Sequence, residues 1–202
     1  MKNYPFLLLL VLLTGNFLWC GACKPSARRV KSYVAWVEDA TNGLHQVMAI
    51  PGYELHVQYK PAAYLLIREK GMHPGDPDFQ EMVHELSDFQ YYTLRCRPDP
   101  GSAISSAASR EDHRHVSPDL SRAGNFSARF DILLVCQRDT IPASFIHEEP
   151  HGVSGAQTLL FGFPQADPST GRSVVILPRK SGEAAAVFPF SSSLFSHLPT
   201  IR

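Results

Sequence analysis

Apolar side chains recur at helical spacing in two parts of the chain. The spacing from Val30 to Val37 predicts an amphipathic helix over residues 27–40. A second apolar stripe, from Phe79 to Leu86, predicts another amphipathic helix. A shorter helix is predicted over 61–70, because proline opens this stretch and glycine follows it.

Other parts of the chain show the two-residue period of half-buried strands. Residues 53–59 alternate between apolar and polar side chains, and Pro51-Gly52 predicts a turn to a partner strand over 44–50. Further strands are predicted around 91–96, 131–137, 141–148, 157–163, 173–178 and 184–190. The pattern predicts a strand-dominated α+β domain with mainly antiparallel sheets and two or three short helices.

One long stretch has no apolar period. Residues 98–124 are rich in proline, serine, alanine and charged residues, which is typical of an exposed loop. We interpret this stretch as a loop within one domain over 32–202 rather than a linker between two domains.

The amino terminus has the layout of an export signal. Lys2 supplies a positive charge, and the run Phe6–Leu13 contains no polar residue. This run is shorter than the roughly 20 residues that cross a bilayer as a stable anchor. We therefore expect residues 1–22 to be a cleaved signal peptide.

The end of this signal resembles the lipobox of bacterial lipoproteins. Gly21 and Ala22 stand directly before Cys23, although Cys20 occupies a position where leucine is usual. The resemblance implies a diacylglyceryl group on the Cys23 thiol, an acyl chain such as palmitate on its amine, and a basic tether over 23–31. An ordinary signal peptidase that cuts after Ala22 would give the same mature chain without lipid.

The charge balance excludes one class of partner. The chain has 19 Lys and Arg against 19 Asp and Glu, and loss of residues 1–22 would remove only Lys2. A nucleic-acid surface needs a basic excess, because bound cations displace the counterions of the phosphates. We therefore expect no nucleic-acid partner.

Two cysteines remain for the mature domain. Cys96 and Cys136 both lie on the apolar side of predicted strands. They could form a disulfide in an oxidising envelope, but two core thiols would explain them equally well. They cannot form a zinc site alone, and the mature chain contains no C-x-x-C motif.

The string His147-Glu-Glu-Pro-His151 matches the zinc-peptidase pattern H-E-x-x-H. That motif requires a helix to bring both imidazoles to one face, and Pro150 would interrupt this helix. If the segment is a strand, His147 and Glu149 share one face. These two residues and His151 are therefore weak metal-ligand candidates. No catalytic set and no nucleotide-binding motif is found, so we expect no cofactor.

Several segments resemble uncharacterised lipoproteins of Bacteroidota. The first two are Tyr33-Val-Ala-Trp-Val-Glu38 and Val57-Gln-Tyr-Lys-Pro61, and weaker similarity includes Tyr91-Tyr-Thr-Leu-Arg95 and Phe145-Ile-His-Glu148. The resemblance implies a lipid-anchored envelope protein of the outer membrane and no enzymatic activity. The residues after Cys23 are basic and lack the acidic run of a surface-export signal, which favours a periplasm-facing position.

The sequence as a whole favours a binding or scaffolding module. Its expected partners are the membrane, through the lipid at Cys23, and an envelope protein or glycan. The alternative is an envelope hydrolase, which could depend on a metal ion held by His147, Glu149 or His151.

Overall fold

The computed structural model describes residues 27–50, 53–98, 128, 130–149, 157–179 and 184–201. The predicted signal peptide, Cys23, His151 and nearly all of the predicted loop over 98–124 lie outside these residues. The described part forms one strand-rich α+β domain, as the sequence predicts. None of its helices is both long enough and apolar enough to cross a membrane.

The helices are short, and three of the four were predicted. They are α1 (Ala27–Glu38), α2 (Ala62–Arg68), α3 (Phe79–Leu86) and α4 (Ser192–Ser196), with a 3-10 turn at Ala40–Asn42. The predicted helix over 27–40 therefore ends two residues early, and Gly43 follows the 3-10 turn with a positive φ of 86°. The sequence did not predict α4, because five residues are too few for an apolar period to show.

Nine strands form two antiparallel sheets in the described part. They are β1 (His45–Ile50), β2 (Tyr53–Lys60), β3 (Phe89–Pro98), β4 (Phe130–Cys136), β5 (Asp139–Pro142), β6 (Phe145–Glu149), β7 (Gln157–Pro164), β8 (Arg172–Pro178) and β9 (Ala186–Phe190). The five-stranded sheet has the order β1-β2-β3-β7-β6, and the four-stranded sheet has the order β5-β4-β8-β9.

The single strand predicted over 141–148 is wrong, because the chain changes sheets within it. Pro142 ends β5, where it pairs with Leu133, and Phe145 begins β6, where it pairs with Gly162. The two residues between them hydrogen-bond to different sheets. Ala143 N donates to the Ile132 carbonyl at 3.0 Å and Ser144 N donates to the Gly162 carbonyl at 2.8 Å.

The inner faces of the two sheets enclose one aromatic and aliphatic core. Tyr92 lies within it, with ring centroids 5.5 Å from Phe190 on the other sheet and 5.9 Å from Phe161 on its own. Burial raises the pKa of the Tyr92 phenol because the phenolate would be desolvated. Cys96 and Cys136 belong to the same core, and the structure has both as buried thiols rather than as a disulfide.

A buried polar network joins the two sheets at one end of this core. Gln90 Oε1 on β3 accepts hydrogen bonds from Arg172 Nη1 on β8 at 2.6 Å and from the Tyr92 hydroxyl at 2.9 Å. Gln90 Nε2 donates to the Pro164 carbonyl at 3.0 Å, and Arg172 Nη2 donates to the Asp167 carbonyl at 3.1 Å. The Arg172 guanidinium also lies 3.7 Å from the centroid of the Phe195 ring.

Candidate functional site

The outer face of the five-stranded sheet carries most of the polar side chains that converge in the described structure. The strand register places them in rows across the sheet. One row runs from His56 through Arg95 and Thr158 to Glu149, and Arg95 lies near its middle.

A cleft of about 470 Å³ opens on this face. Its volume is within the range of about 300–1,000 Å³ that is typical of ligand sites. The lining comes from all five strands of the sheet and from α2 with the residue after it. The described lining residues are His45, His56, Gln58, Lys60, Tyr64, Arg68, Glu69, Thr93, Arg95, Arg97, Glu149 and Thr158.

Cations outnumber carboxylates among these lining residues. Lys60, Arg68, Arg95 and Arg97 face two acids, Glu69 and Glu149. Among the lining residues alone this excess of positive charge favours an anionic ligand, while Glu38 and Glu54 border the cleft.

An acid beside the cleft neutralises part of this positive charge. Glu38 accepts a hydrogen bond from the Tyr64 hydroxyl at 2.9 Å, and its Oε1 lies 3.2 Å from Arg68 Nε. Lys60 Nζ stands 4.7 Å from the centroid of the Tyr64 ring. This arrangement fixes the wall that α2 contributes.

Burial lowers the pKa of the Lys60 ammonium, although the charges of Glu69, Glu149 and Glu38 oppose the shift. These acids offset only part of the effect of burial, and the nearby positive charge of Arg68 lowers the pKa further. An anion that bound beside Lys60 would therefore stabilise its charged form.

Two histidines and an acid form a chain along one side of the cleft. Glu54 Oε1 contacts His56 Nε2, and His56 Nδ1 lies 3.1 Å from His45 Nε2. The two rings stack with centroids 5.2 Å apart. The pKa of His45 is lowered, first by burial and then by the nearby charges of His56, Lys60 and Arg97. His45 is therefore mainly neutral at pH 7, so it can offer a ligand hydrogen bonds but no positive charge.

Three aromatic rings continue the same face beyond the Lys60 end of the cleft. The Phe145 centroid lies 5.9 Å from Tyr91 and 6.2 Å from Phe89. Phe145 and Phe89 are each 36% exposed. Gly162 lies opposite Phe145 on β7, and a Cβ at this position would clash with the Phe145 ring. We call Phe89, Tyr91 and Phe145 the aromatic cluster.

The predicted site residues are only partly brought together. His147 and Glu149 share one face of β6, as a strand requires, and Glu149 lines the cleft. His147 is exposed one row away, beside Leu160. A strand at 147–149 cannot place residues 147 and 151 on one helix face, so the described part of H-E-x-x-H is not a helical zinc motif. Within the described ranges no group of three metal-ligating side chains occurs.

The main cleft residues were not singled out from the sequence. The alternation of residues 53–59 places Glu54, His56 and Gln58 on the polar side of a strand. Two further signals were available in the sequence, Lys60 at the end of this strand and the alternate arginines Arg95 and Arg97. They converge only because β2 pairs with β3, and no local pattern specifies that pairing.

A larger cavity of about 650 Å³ lies between Trp36 and the segment around α4. Its polar groups mostly bond to one another. Asn42 Nδ2 donates to the Trp36 carbonyl, the hydroxyls of Ser191 and Ser193 lie 2.9 Å apart, and His197 Nδ1 is 2.7 Å from the Ser193 carbonyl. It therefore offers a ligand fewer hydrogen-bonding groups than the cleft does.

Neither a known protein family, nor a curated protein, nor a solved structure matches this chain. The cleft is therefore the basis on which a function can be proposed.

Proposed function

We propose that the protein is a lipid-anchored cell-envelope protein that binds a small anionic ligand in the cleft of its five-stranded sheet. The observation that carries the binding function is the convergence of Lys60, Arg95 and Arg97 on one concave face. Two arginines on one face offer paired N–H donors, which match a carboxylate or a phosphate. Thr93, Thr158 and Gln58 supply neutral hydrogen bonds between these charges.

The envelope location rests on the amino-terminal sequence. A lipid at Cys23 would hold the domain at a membrane, since two or more acyl chains give stable attachment. The periplasmic side of the outer membrane is the location that the basic residues after Cys23 favour. A binding domain at this location would meet envelope glycans and other envelope proteins.

The hydrolase alternative receives less support. Its metal-dependent version needs a metal ion held by His147, Glu149 or His151, but Glu149 faces the cleft while His147 lies a row away. The lining instead combines charged and neutral hydrogen-bonding groups, which suits recognition of a polar ligand.

The binding function is tested by titrating the full-length chain, purified in detergent, with acetate, citrate, inorganic phosphate and glucuronate in a calorimeter. We expect at least one of these anions to bind, and Arg95→Gln to weaken that binding about 10- to 100-fold, as for the loss of a charged hydrogen bond. Arg179→Gln is the matched control. Arg179 is 55% exposed and pairs with Asp131 on the other sheet at 2.7 Å.

Two results would contradict the proposal. One is the absence of binding by all four anions at millimolar concentration. The other is an equal loss of affinity in Arg95→Gln and Arg179→Gln, which would point to a general charge effect rather than to the cleft.

The anchor is tested separately, with labelled fatty acid fed to cells that express the chain. We expect Cys23→Ser to abolish incorporation and Cys20→Ser to retain it. Incorporation that persists in Cys23→Ser would exclude attachment at this residue. A mature wild-type mass without acyl groups would indicate simple secretion.

A further inference from the structure

One strand links the cleft to the aromatic cluster. Phe89, Tyr91, Thr93, Arg95 and Arg97 are alternate residues of β3, so all five face outwards. At about 3.4 Å per residue, the Cα atoms of Tyr91 and Arg95 are about 14 Å apart, which is about two or three sugar rings end to end. A ligand along β3 would meet aromatic rings first, then hydroxyls, then guanidinium groups.

The packing of the sheet holds the aromatic cluster in place at one end of this path. Gly162 leaves the room that the Phe145 ring occupies, and that ring packs against both Tyr91 and Phe89. Exposed aromatic rings beside polar groups suit a ligand that has apolar faces and polar edges.

The polar groups in the middle of the path favour a sugar over other anionic ligands. A fatty acid would place its chain over Thr93, Gln58 and Thr158 and would leave these polar groups unpaired. A free inorganic anion would use the arginines but neither the neutral groups nor the aromatic rings. A sugar ring presents C–H groups on its faces and hydroxyls at its edges, and a uronic acid adds a carboxylate.

We propose that the cleft and the aromatic cluster together bind an acidic oligosaccharide containing uronic acid. This inference rests on the proposed anion-binding function and specifies its ligand class. One sugar ring stacks on the exposed rings of Phe89 and Phe145. The carboxylate of a ring farther along the chain pairs with Arg95 and Arg97, and Thr93, Gln58 and neutral His45 bind the hydroxyls between these two ends.

The test compares three probes on the full-length chain in detergent. Trigalacturonate has both sugar rings and carboxylates, its methyl ester has the rings without the charge, and citrate has carboxylates without rings. We expect trigalacturonate to bind at least tenfold more tightly than either of the other two probes.

Variants separate the two parts of the site. We expect Phe89→Ala to weaken trigalacturonate about 3- to 10-fold, in line with the loss of one aromatic contact, and to leave citrate unchanged. Arg95→Gln should weaken both acidic probes. Val47→Ala is the matched control, since Val47 is 54% exposed on the same face beyond His56. Phe145→Leu, which keeps an apolar cover over Gly162, is the second variant if Phe89→Ala fails to fold.

The outcomes distinguish this inference from the function on which it rests. If trigalacturonate binds no more tightly than citrate, or if the aromatic variants bind it as the wild type does, the oligosaccharide assignment is wrong. The anion-binding function would still stand in that case if Arg95→Gln weakened citrate. If no acidic probe binds, both proposals fail.

Discussion

The outer faces of the two sheets differ sharply, although their inner faces share one core. The outer face of the five-stranded sheet carries charged and hydrogen-bonding groups around Arg95. The outer face of the four-stranded sheet is aliphatic at Leu133, Val135, Val175 and Leu177, which are half-buried, and at Val187, which is 44% exposed. The inner faces of both sheets pack against the same core. The difference between the sheets in their ability to bind a polar ligand therefore comes from their outer faces.

The sequences of the central strands explain this difference. In β3 the outward-facing residues from Tyr91 to Arg97 are polar or amphipathic, which suits a strand with one wet face. In β8 the run Val174–Leu177 is continuously apolar, which is typical of a strand covered on both sides. Four predictions test how far the two sheets differ and what holds them together, from the largest expected effect to the smallest.

The largest effect is expected where the sheets are joined. Gln90 is 1% exposed and Arg172 is 3% exposed. Gln90→Ala would leave Arg172 Nη1 and the Tyr92 hydroxyl without their shared acceptor, so we expect a loss of about 3 kcal/mol in the free energy of unfolding. Urea denaturation measures this loss. Gln80→Ala, at an exposed site on α3, should change stability by less than about 0.5 kcal/mol. Equal free energies of unfolding for the two variants would show that the network does not stabilise the contact between the sheets.

A reciprocal pair of substitutions compares the outer faces directly. Val175 and Thr93 occupy outer positions of β8 and β3, and valine and threonine have nearly the same shape. We expect Val175→Thr to lower the free energy of unfolding by about 1 kcal/mol, because it places a hydroxyl on an aliphatic, half-buried face. Thr93→Val should change stability by less than about 0.5 kcal/mol but should weaken anion binding. Equal changes in the free energy of unfolding for Val175→Thr and Thr93→Val would contradict the proposed difference between the two outer faces.

A smaller effect is expected from pH. Burial lowers the pKa of His45 below its ordinary value of 6.5. Below that pH the unfolded chain binds a proton that the folded chain resists, so stability should fall as the pH drops from 6.5 towards the lowered pKa. The part of this fall that is due to His45 should disappear in His45→Gln. Urea denaturation at pH 7.5 and pH 5 measures it, with His84→Gln, an exposed site on α3, as the control. Identical profiles for wild type and His45→Gln would contradict the assignment to His45.

The smallest effect concerns the two core thiols, one from each sheet. Cys96 and Cys136 are buried in the same core. We expect both to resist alkylation in the folded protein and to react after unfolding without a reductant, as measured by peptide mass spectrometry. If neither reacts until a reductant is added, the two residues form a disulfide in the mature protein. That result would show that the two sheets are covalently linked.

Local patterns predicted much of the fold. The alternation of residues 53–59 correctly identified β2 and its polar face, and the apolar stripe of α3 gave both helix ends. The change of sheets after Pro142 was not predicted, because only Ala143 and Ser144 separate the two strands. The second strand forms where Phe145 pairs with Gly162 on β7, and Gly162 is distant in sequence.

The candidate site was much less predictable than the fold. Glu149 was selected as a metal-ligand candidate because it shares a strand face with His147, whereas its contribution to the cleft depends on pairing with Thr158. Arg95 becomes central only because β3 lies between β2 and β7, and the sequence does not specify these neighbours. A site assembled across a sheet from single residues of several strands leaves no compact motif.

The strand β6 has a consequence for how crowded copies of the protein behave. It is the last strand of the five-stranded sheet in the described structure, so its outer backbone groups could pair with another chain. Glu148 and Glu149 follow one another there, and like charges on two approaching edges repel. The proposed lipid anchor would concentrate many copies in one membrane plane. At such a density, these two glutamates would protect the protein against edge-to-edge aggregation.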